Sequence, residues 1–311
     1  MESSDRIFVA GHTGLLGSAL VRRLRAQGFD NLTLVARKDL DLRDQARTFD
    51  FLAREKPSHV FACAARVGGI RANIEYPADF LYDNLAIAAN LVEGARRAGV
   101  GKLLFPSSNC VYPSGWEGPI PESALLTGPV EPTNEPYAVA KIAGMKLCQT
   151  YARQHGLRSV VAVAASLYGP GAHLDESGSH FVAGLMSRVH SAKLERRKEV
   201  PIWGTGTALR ELLYVDDCAD ALILLMRTYE GREPVNVGSG DERTVVDIAG
   251  RIAAAVGHGA RFVPDPSRPE GIHRKLLDST RIRALGWRPA TPLDTGLART
   301  YEDFFSRYAT H

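Results

Sequence analysis

The chain opens with an apolar run, Ile7 to Ala10, then a glycine turn, then a stretch from Leu15 to Gln27 in which Ala19, Leu20 and Leu24 recur at helical spacing. That order, strand then amphipathic helix, repeats. Leu32 to Val35 reads as a strand, Asp44 to Arg54 as a helix, Val60 to Ala64 as a strand, Tyr82 to Ala98 as a helix and Lys102 to Pro106 as a strand. Such alternation predicts an α/β fold, a Rossmann-type doubly wound parallel sheet with helices on both faces. From Pro113 to Pro136 the chain is rich in Pro, Gly, Ser and Thr and shows no periodicity. A loop of that length in a compact domain usually carries function. A helix follows from Tyr137 to about His155, with Gly156 as its stop, and then a strand, Ser159 to Ala164.

The alternation ends near Tyr168-Gly169-Pro170. The expected division is a dinucleotide-binding domain over 1–170, with a return segment at about 212–240, and a smaller mixed α/β substrate domain from 171–211 and 241–311.

Composition narrows the function. With 45% hydrophobic residues over 311 positions the chain can bury a large core. Its 38 Lys and Arg barely exceed its 35 Asp and Glu and are spread along the chain, so no nucleic-acid partner is expected. The mild positive balance suits an anionic small molecule. The start, Met1 to Arg6, lacks the pattern of a secretory signal, and a cytoplasmic address is the expectation. Apolar runs such as Ala221 to Met226 fall far short of the ~20 residues that span a bilayer, so no membrane crossing is expected. Cys63, Cys110, Cys148 and Cys218 lie far apart, without metal or redox spacing; free thiols and no metal site are expected.

Gly11-His12-Thr13-Gly14-Leu15-Leu16-Gly17 sits between the first strand and the first helix. Glycine lets the backbone approach a pyrophosphate, and the helix N-terminus offers unpaired N–H groups and partial positive charge. An acidic residue near the end of the second strand would select NAD through the ribose 2′-hydroxyl. Here the chain reads Val35-Ala36-Arg37-Lys38, and a guanidinium at Arg37 favours a 2′-phosphate, hence NADP(H). Tyr137 and Lys141 are four residues apart and share a helix face. A tyrosine of pKa ~10 exchanges protons poorly near neutrality, and an adjacent ammonium is expected to lower it. Tyr137 can then protonate a ketone oxygen while hydride arrives at carbon.

The glycine turn, Ser107-Ser108 before Val111-Tyr112-Pro113, and Tyr137 to Lys141 together resemble the extended short-chain dehydrogenase/reductases. Longer stretches, Ala64 to Ile70, Tyr76 to Phe80, Glu131 to Ala138 and Lys275 to Asp278, resemble within that group the GDP-L-fucose synthase family, over nearly the whole chain. The resemblance implies NADPH-dependent reduction of a GDP-4-keto-6-deoxyhexose preceded by 3,5-epimerisation. It implies Cys110 and His180 as the proton-exchanging pair, Ser108 on the keto oxygen, and Tyr137 with Lys141 for the reduction. It places Gly11, Thr13, Gly14, Leu15, Leu16, Gly17, Arg37 and Ala64 at the cofactor, and Arg188, Trp203, Arg210 and Lys275 at the GDP-sugar. A homodimer through the Tyr82–Ala98 and Tyr137–His155 helices is also implied.

Four departures stand out. Thr13 occupies a position where the family commonly has arginine, and Ser107-Ser108-Asn109-Cys110 replaces Gly-Ser-Ser-Cys. Ser166 replaces an asparagine, and Ala172 to Gly178 diverges. A reductase without epimerisation, or an enzyme for a GDP-heptose or GDP-dideoxyhexose, is the alternative these differences keep open.

Overall fold

The computed structural model describes residues 1–172, 181–268 and 271–308. The first half runs β1 (Ile7–Ala10), α1 (Leu15–Ala26), β2 (Leu32–Thr33), α2 (Gln45–Glu55), β3 (His59–Ala62), α3 (Ile70–Glu75), α4 (Pro77–Arg97), β4 (Lys102–Ser108), β5 (Pro119–Ile120), α5 (Glu135–His155), β6 (Ser159–Ala164) and β7 (Ser166–Tyr168). The second runs α6 (Phe181–Leu194), β8 (Glu199–Trp203), β9 (Leu209–Tyr214), α7 (Val215–Thr228), β10 (Val235–Val237), β11 (Glu242–Thr244), α8 (Val245–Val256), β12 (Arg261–Asp265), β13 (Leu276–Leu277), α9 (Thr280–Ala284) and α10 (Leu293–Tyr308).

Six strands form one parallel sheet in the order β10-β6-β4-β3-β1-β2. Its central strands are buried on both faces, which is why they read as continuous apolar runs such as Ile7 to Ala10. The chain leaves β1 for β2 on one side and returns to β3 on the other, so strand order reverses at β1 and β3. The crevice beyond the carboxyl ends of such strands is where open α/β sheets bind ligands.

The expected elements recur with shifted ends. β2 stops at Thr33, because Leu34 and Val35 leave the ladder, and β3 stops at Ala62, where the backbone turns beneath the glycine turn. The helix read from Tyr82 begins at Pro77, a residue well suited to a first helical turn, whose N–H has no intrahelical partner to lose. The stretch read as a loop after Pro113 carries a two-residue strand, β5, paired in parallel with β13. Gly156 ends α5 in the left-handed conformation, φ 70°, as its sequence position predicts.

Apolar side chains gather into two clusters. One contains the six-stranded sheet, its helices and much of α7. The other joins α6, α8, α10 and β8 with outward residues of β9. The main cleft opens between the carboxyl end of the large sheet and this second cluster.

Candidate active site

The turn after β1 is shaped by what cannot fit there. Gly11 has φ +77°, and a Cβ on it would stand 2.7 Å from the Ala64 backbone. A Cβ on Gly17 would lie 2.1 Å from the Gly11 carbonyl oxygen. The Gly14 N–H closes the turn onto that same oxygen at 3.0 Å. Gly14 caps α1 without any side-chain bond, so the first-turn N–H groups keep their anion-binding capacity. This bare cradle at the strand-order reversal fits the pyrophosphate of a dinucleotide. Thr13 and Arg37 are both exposed, Arg37 just beyond the end of β2.

The wall beside the cradle is built on β4 and α5. β4 ends at Ser108, and the chain turns through one short helical turn, Asn109–Val111. The Cys110 N–H donates to Ser108 Oγ at 3.5 Å, and the buried Tyr112 hydroxyl donates to Asn236 Oδ1 at 2.6 Å, anchoring the turn to β10. Ser108 lines the cleft; Ser107 is buried behind it. Tyr137 and Lys141 share one face of α5, with the ammonium 5.8 Å from the Tyr137 ring centroid. Lys141 Nζ donates to the Pro106 carbonyl at 3.0 Å and stands 4.9 Å from the Phe105 ring centroid.

Electrostatics here differ from the expectation that Lys141 lowers Tyr137. Burial pushes the Tyr137 phenol far above its ordinary value, with the neighbouring Cys110 acting in the same direction. Burial likewise lowers Lys141, to about 8, because it disfavours the charged ammonium; the nearby Cys110, Cys63 and Cys148 act in the opposite direction. In this arrangement Tyr137 is a protonated donor, which suits a general acid. Burial also raises the Cys110 thiol; Lys275 is the strongest opposing influence, ahead of the Ser108 bond and Lys141.

The cleft holds about 320 Å³ and is lined on this side by Ser108, Cys110 and Tyr137. Arg188, Trp203, Arg210 and Lys275 line the same cavity from α6, β8, β9 and the approach to β13. Two guanidinium groups, those of Arg188 and Arg268, each lie 5.8 Å from the Trp203 ring centroid. Arg210 donates to the Leu209 and Ile272 carbonyls at 2.8 and 2.7 Å, fixing the segment that leads to Lys275. Lys275 is pushed down by burial, while Cys110 and Glu131 hold it up. His180 falls outside the described residues.

Several contributors were invisible to pattern reading. The Gly68-Gly69-Ile70 loop lines the cleft and is clamped from α4: the Arg66 N–H donates to Asn84 Oδ1 at 2.9 Å, and Asn84 Nδ2 donates to the Arg66 carbonyl at 3.0 Å. The Arg66 guanidinium meets Asp83 at 3.1 Å and lies 5.5 Å from the Phe80 ring, whose edge faces Tyr137. Glu131, buried at the rim, accepts from the Thr133 N–H and hydroxyl at 3.1 and 2.6 Å. Glu211 is a buried carboxyl that also lines the cleft. Of these, the Ala64 to Ile70 stretch, Phe80 and Glu131 had a signal in the sequence, through the family resemblance; Asp83, Asn84 and Glu211 had none. All four thiols are free, and among the described residues no metal-binding cluster occurs. No helix among them is long and apolar enough to cross a membrane.

A dinucleotide cradle, a Tyr/Lys pair on one helix face and a cleft between two packed units define a nicotinamide-dependent enzyme of the short-chain type. The chain belongs to the NAD dependent epimerase/dehydratase family, whose profile matches residues 7–238. It is 48% identical over 301 residues to GDP-L-fucose synthase 1 of Arabidopsis thaliana, covering 97% of this chain and 93% of that protein. A GDP-6-OMe-4-keto-L-xylo-heptose reductase from C. jejuni superposes with a TM-score of 0.93 at 31% identity, covering 99% of each chain. A GDP-L-fucose synthetase from Naegleria fowleri bound to NADP superposes with a TM-score of 0.90 at 27% identity, over 100% of this chain and 97% of that one.

Proposed function

We propose that this chain converts GDP-4-keto-6-deoxy-D-mannose to GDP-L-fucose, by epimerisation at C3 and C5 followed by NADPH-dependent reduction at C4. The observation that carries the reading is the convergence of Ser108, Cys110 and Tyr137 with Arg188, Trp203, Arg210 and Lys275 on one cavity. The similarity to synthases of this name supports it independently.

Inversion beside a ketone needs one group to remove the α-proton and another to return a proton on the opposite face. Cys110 takes one part and His180 the other. The 4-keto group makes the protons at C3 and C5 acidic, and Ser108 Oγ donates to its oxygen as charge develops there. Lys275 is the cation that favours the Cys110 thiolate against burial. When bound, NADPH would supply the hydride for C4; Gly11, Gly14 and Gly17 with the first turn of α1, through Leu15 and Leu16, would hold its pyrophosphate beside Ala64, and Arg37 would take its 2′-phosphate. Tyr137 gives its proton to the oxygen at C4, and Lys141 keeps that phenol aligned on its helix face. Arg188, Arg210 and Lys275 hold the diphosphate of the sugar nucleotide, and Trp203 offers its ring to the guanosine. A cytoplasmic homodimer through α4 and α5 completes the reading, supported by the exposure of Tyr82 and Val139 on those helices.

The second reading, reduction without epimerisation, is favoured by the likeness to the heptose reductase. Mixing the protein with NADPH and GDP-4-keto-6-deoxymannose tests the first: loss of reduced-nicotinamide absorbance with GDP-L-fucose as product supports it. A product that keeps the original configuration at C3 and C5 supports the second.

A further inference from the structure

Among the residues that line the cleft is Glu211, 1% exposed, on β9 beside Arg210. Its two oxygens face different segments. Oε1 accepts from the Gly240 N–H at 2.8 Å, and Oε2 accepts from the Leu277 N–H at 2.9 Å. Leu277 belongs to β13, two residues beyond Lys275, and Gly240 belongs to the turn that leads into β11. The fit leaves no slack: a Cβ on Gly238 would stand 2.3 Å from Glu211 Oε1 and 2.9 Å from Ser279 Oγ, which itself accepts from the Gly238 N–H at 2.9 Å. One side chain therefore ties β9, which carries Arg210, to β13, the strand that Lys275 immediately precedes.

We infer that Glu211, as a carboxylate, is a positioning residue that sets Arg210 and Lys275 at the spacing needed to hold an anionic nucleotide-sugar. This rests on the proposed GDP-sugar substrate and adds to it a residue that acts through Arg210 and Lys275, its own oxygens being engaged by the Gly240 and Leu277 N–H groups. Two N–H donors aimed at two separate oxygens suit the ionised group, which has only acceptors to offer. A protonated carboxyl turns its own O–H against one of those donors, and that tie is lost.

The surroundings make this protonation accessible. Burial pushes Glu211 up to about 7, and Glu242 on β11 adds to the rise. The two backbone N–H groups and Arg283 on α9 oppose it. Glu242 is itself paired with Arg274 at 2.8 Å, and Arg283 lies over the 238–240 turn, donating to the Ser239 carbonyl. Arg210 is the neighbour of Glu211 on β9, and Lys275 lies two residues before Leu277, from whose N–H Glu211 accepts. The clamp is closed above neutrality and loosens below it.

GDP-mannose is a suitable probe, because its diphosphate does not titrate near neutrality and it lacks the 4-keto group. Its affinity should be measured by calorimetry from pH 6 to 8 for wild type, Glu211→Gln and Lys275→Met, with the Gly240 and Leu277 amide resonances followed over the same range. Wild type is expected to bind about tenfold more weakly at pH 6 than at pH 8, in step with titration of both amides. Glu211→Gln, whose amide N–H₂ faces one of the backbone donors, should bind weakly at every pH, with its NADPH affinity equal to that of wild type. Lys275→Met should bind weakly with most of the pH dependence gone. Glu211→Gln binding as wild type does, with the same pH curve, overturns the inference. So does a wild-type affinity that stays flat while the two amides titrate, and this holds even if the variant does not fold. Wild type that fails to bind GDP-mannose at any pH, while its amides titrate, removes the substrate reading and the role built on it; activity on a different 4-keto sugar would mark that failure apart.

Discussion

The two halves of the candidate site are made of different material. The cofactor cradle is backbone: Gly11 and Gly17 matter for the absence of side chains, and all but the Ala64 wall lies within one strand, one turn and one helix. The sugar cleft is side chains: Cys110 from the end of β4, Tyr137 from α5, Arg210 from β9 and Lys275 from before β13 meet across long sequence separations. A backbone site tolerates changes around it but no added atom within it. A side-chain site tolerates replacement of one contact but depends on the struts that bring distant segments into register.

The sharpest test of that contrast is Tyr137→Phe. Removing the proton donor should lower kcat for ketone reduction by about 10²–10⁴-fold, while NADPH affinity, measured by fluorescence titration, stays within about twofold. A parallel loss of NADPH binding would dissolve the distinction between the two halves.

Next in size is the pH dependence carried by Glu211. Its folded value of about 7 lies above the ordinary 4.5, so the folded state holds its proton more tightly than the unfolded chain. The associated stability is fully present below about 4.5 and is lost as pH rises to about 7, by about 3 kcal/mol in order of magnitude. Urea unfolding of wild type and Glu211→Gln across this range should show their difference shifting in favour of the variant as pH rises. A pH-independent difference would show that the carboxyl does not titrate in the folded protein.

Gly17→Ala breaks the other half. The new Cβ would meet the Gly11 carbonyl oxygen, and the turn must open, at a cost of about 1–3 kcal/mol. NADPH affinity should collapse, while GDP-mannose still binds. Smallest of all, Arg37→Ala should reduce the preference for NADPH over NADH by about three- to tenfold, since an exposed guanidinium adds only a modest charge-assisted contact. The ratio of kcat/KM for the two cofactors measures it.

The same contrast explains what could be read in the sequence. β1, the glycine turn and α1 were legible because the signal is local: an apolar run buried on both faces, three glycines, then helical periodicity. Tyr137 and Lys141 were legible because spacing on one helix fixes their common face, yet the Lys141 bond to Pro106 depends on how α5 packs against β4. Cys110, Arg188, Arg210 and Lys275 have no local signal and came only through family resemblance. Glu211 had none: within Arg210-Glu211-Leu212 it looks like an ordinary strand charge, and only tertiary packing buries it between Gly240 and Leu277. The β5–β13 pairing stayed hidden for a related reason, since two-residue strands carry no periodicity.

The chemistry proposed for the cleft is proton exchange on the sugar before its reduction. Incubation with GDP-4-keto-6-deoxymannose in D₂O, without NADPH, tests this most directly, with proton NMR of the sugar as readout. Deuterium is expected at both C3 and C5 with wild-type protein, retained in Tyr137→Phe and lost in Cys110→Ala. Unlabelled sugar, from a protein that nevertheless oxidises NADPH with the same substrate, would contradict it.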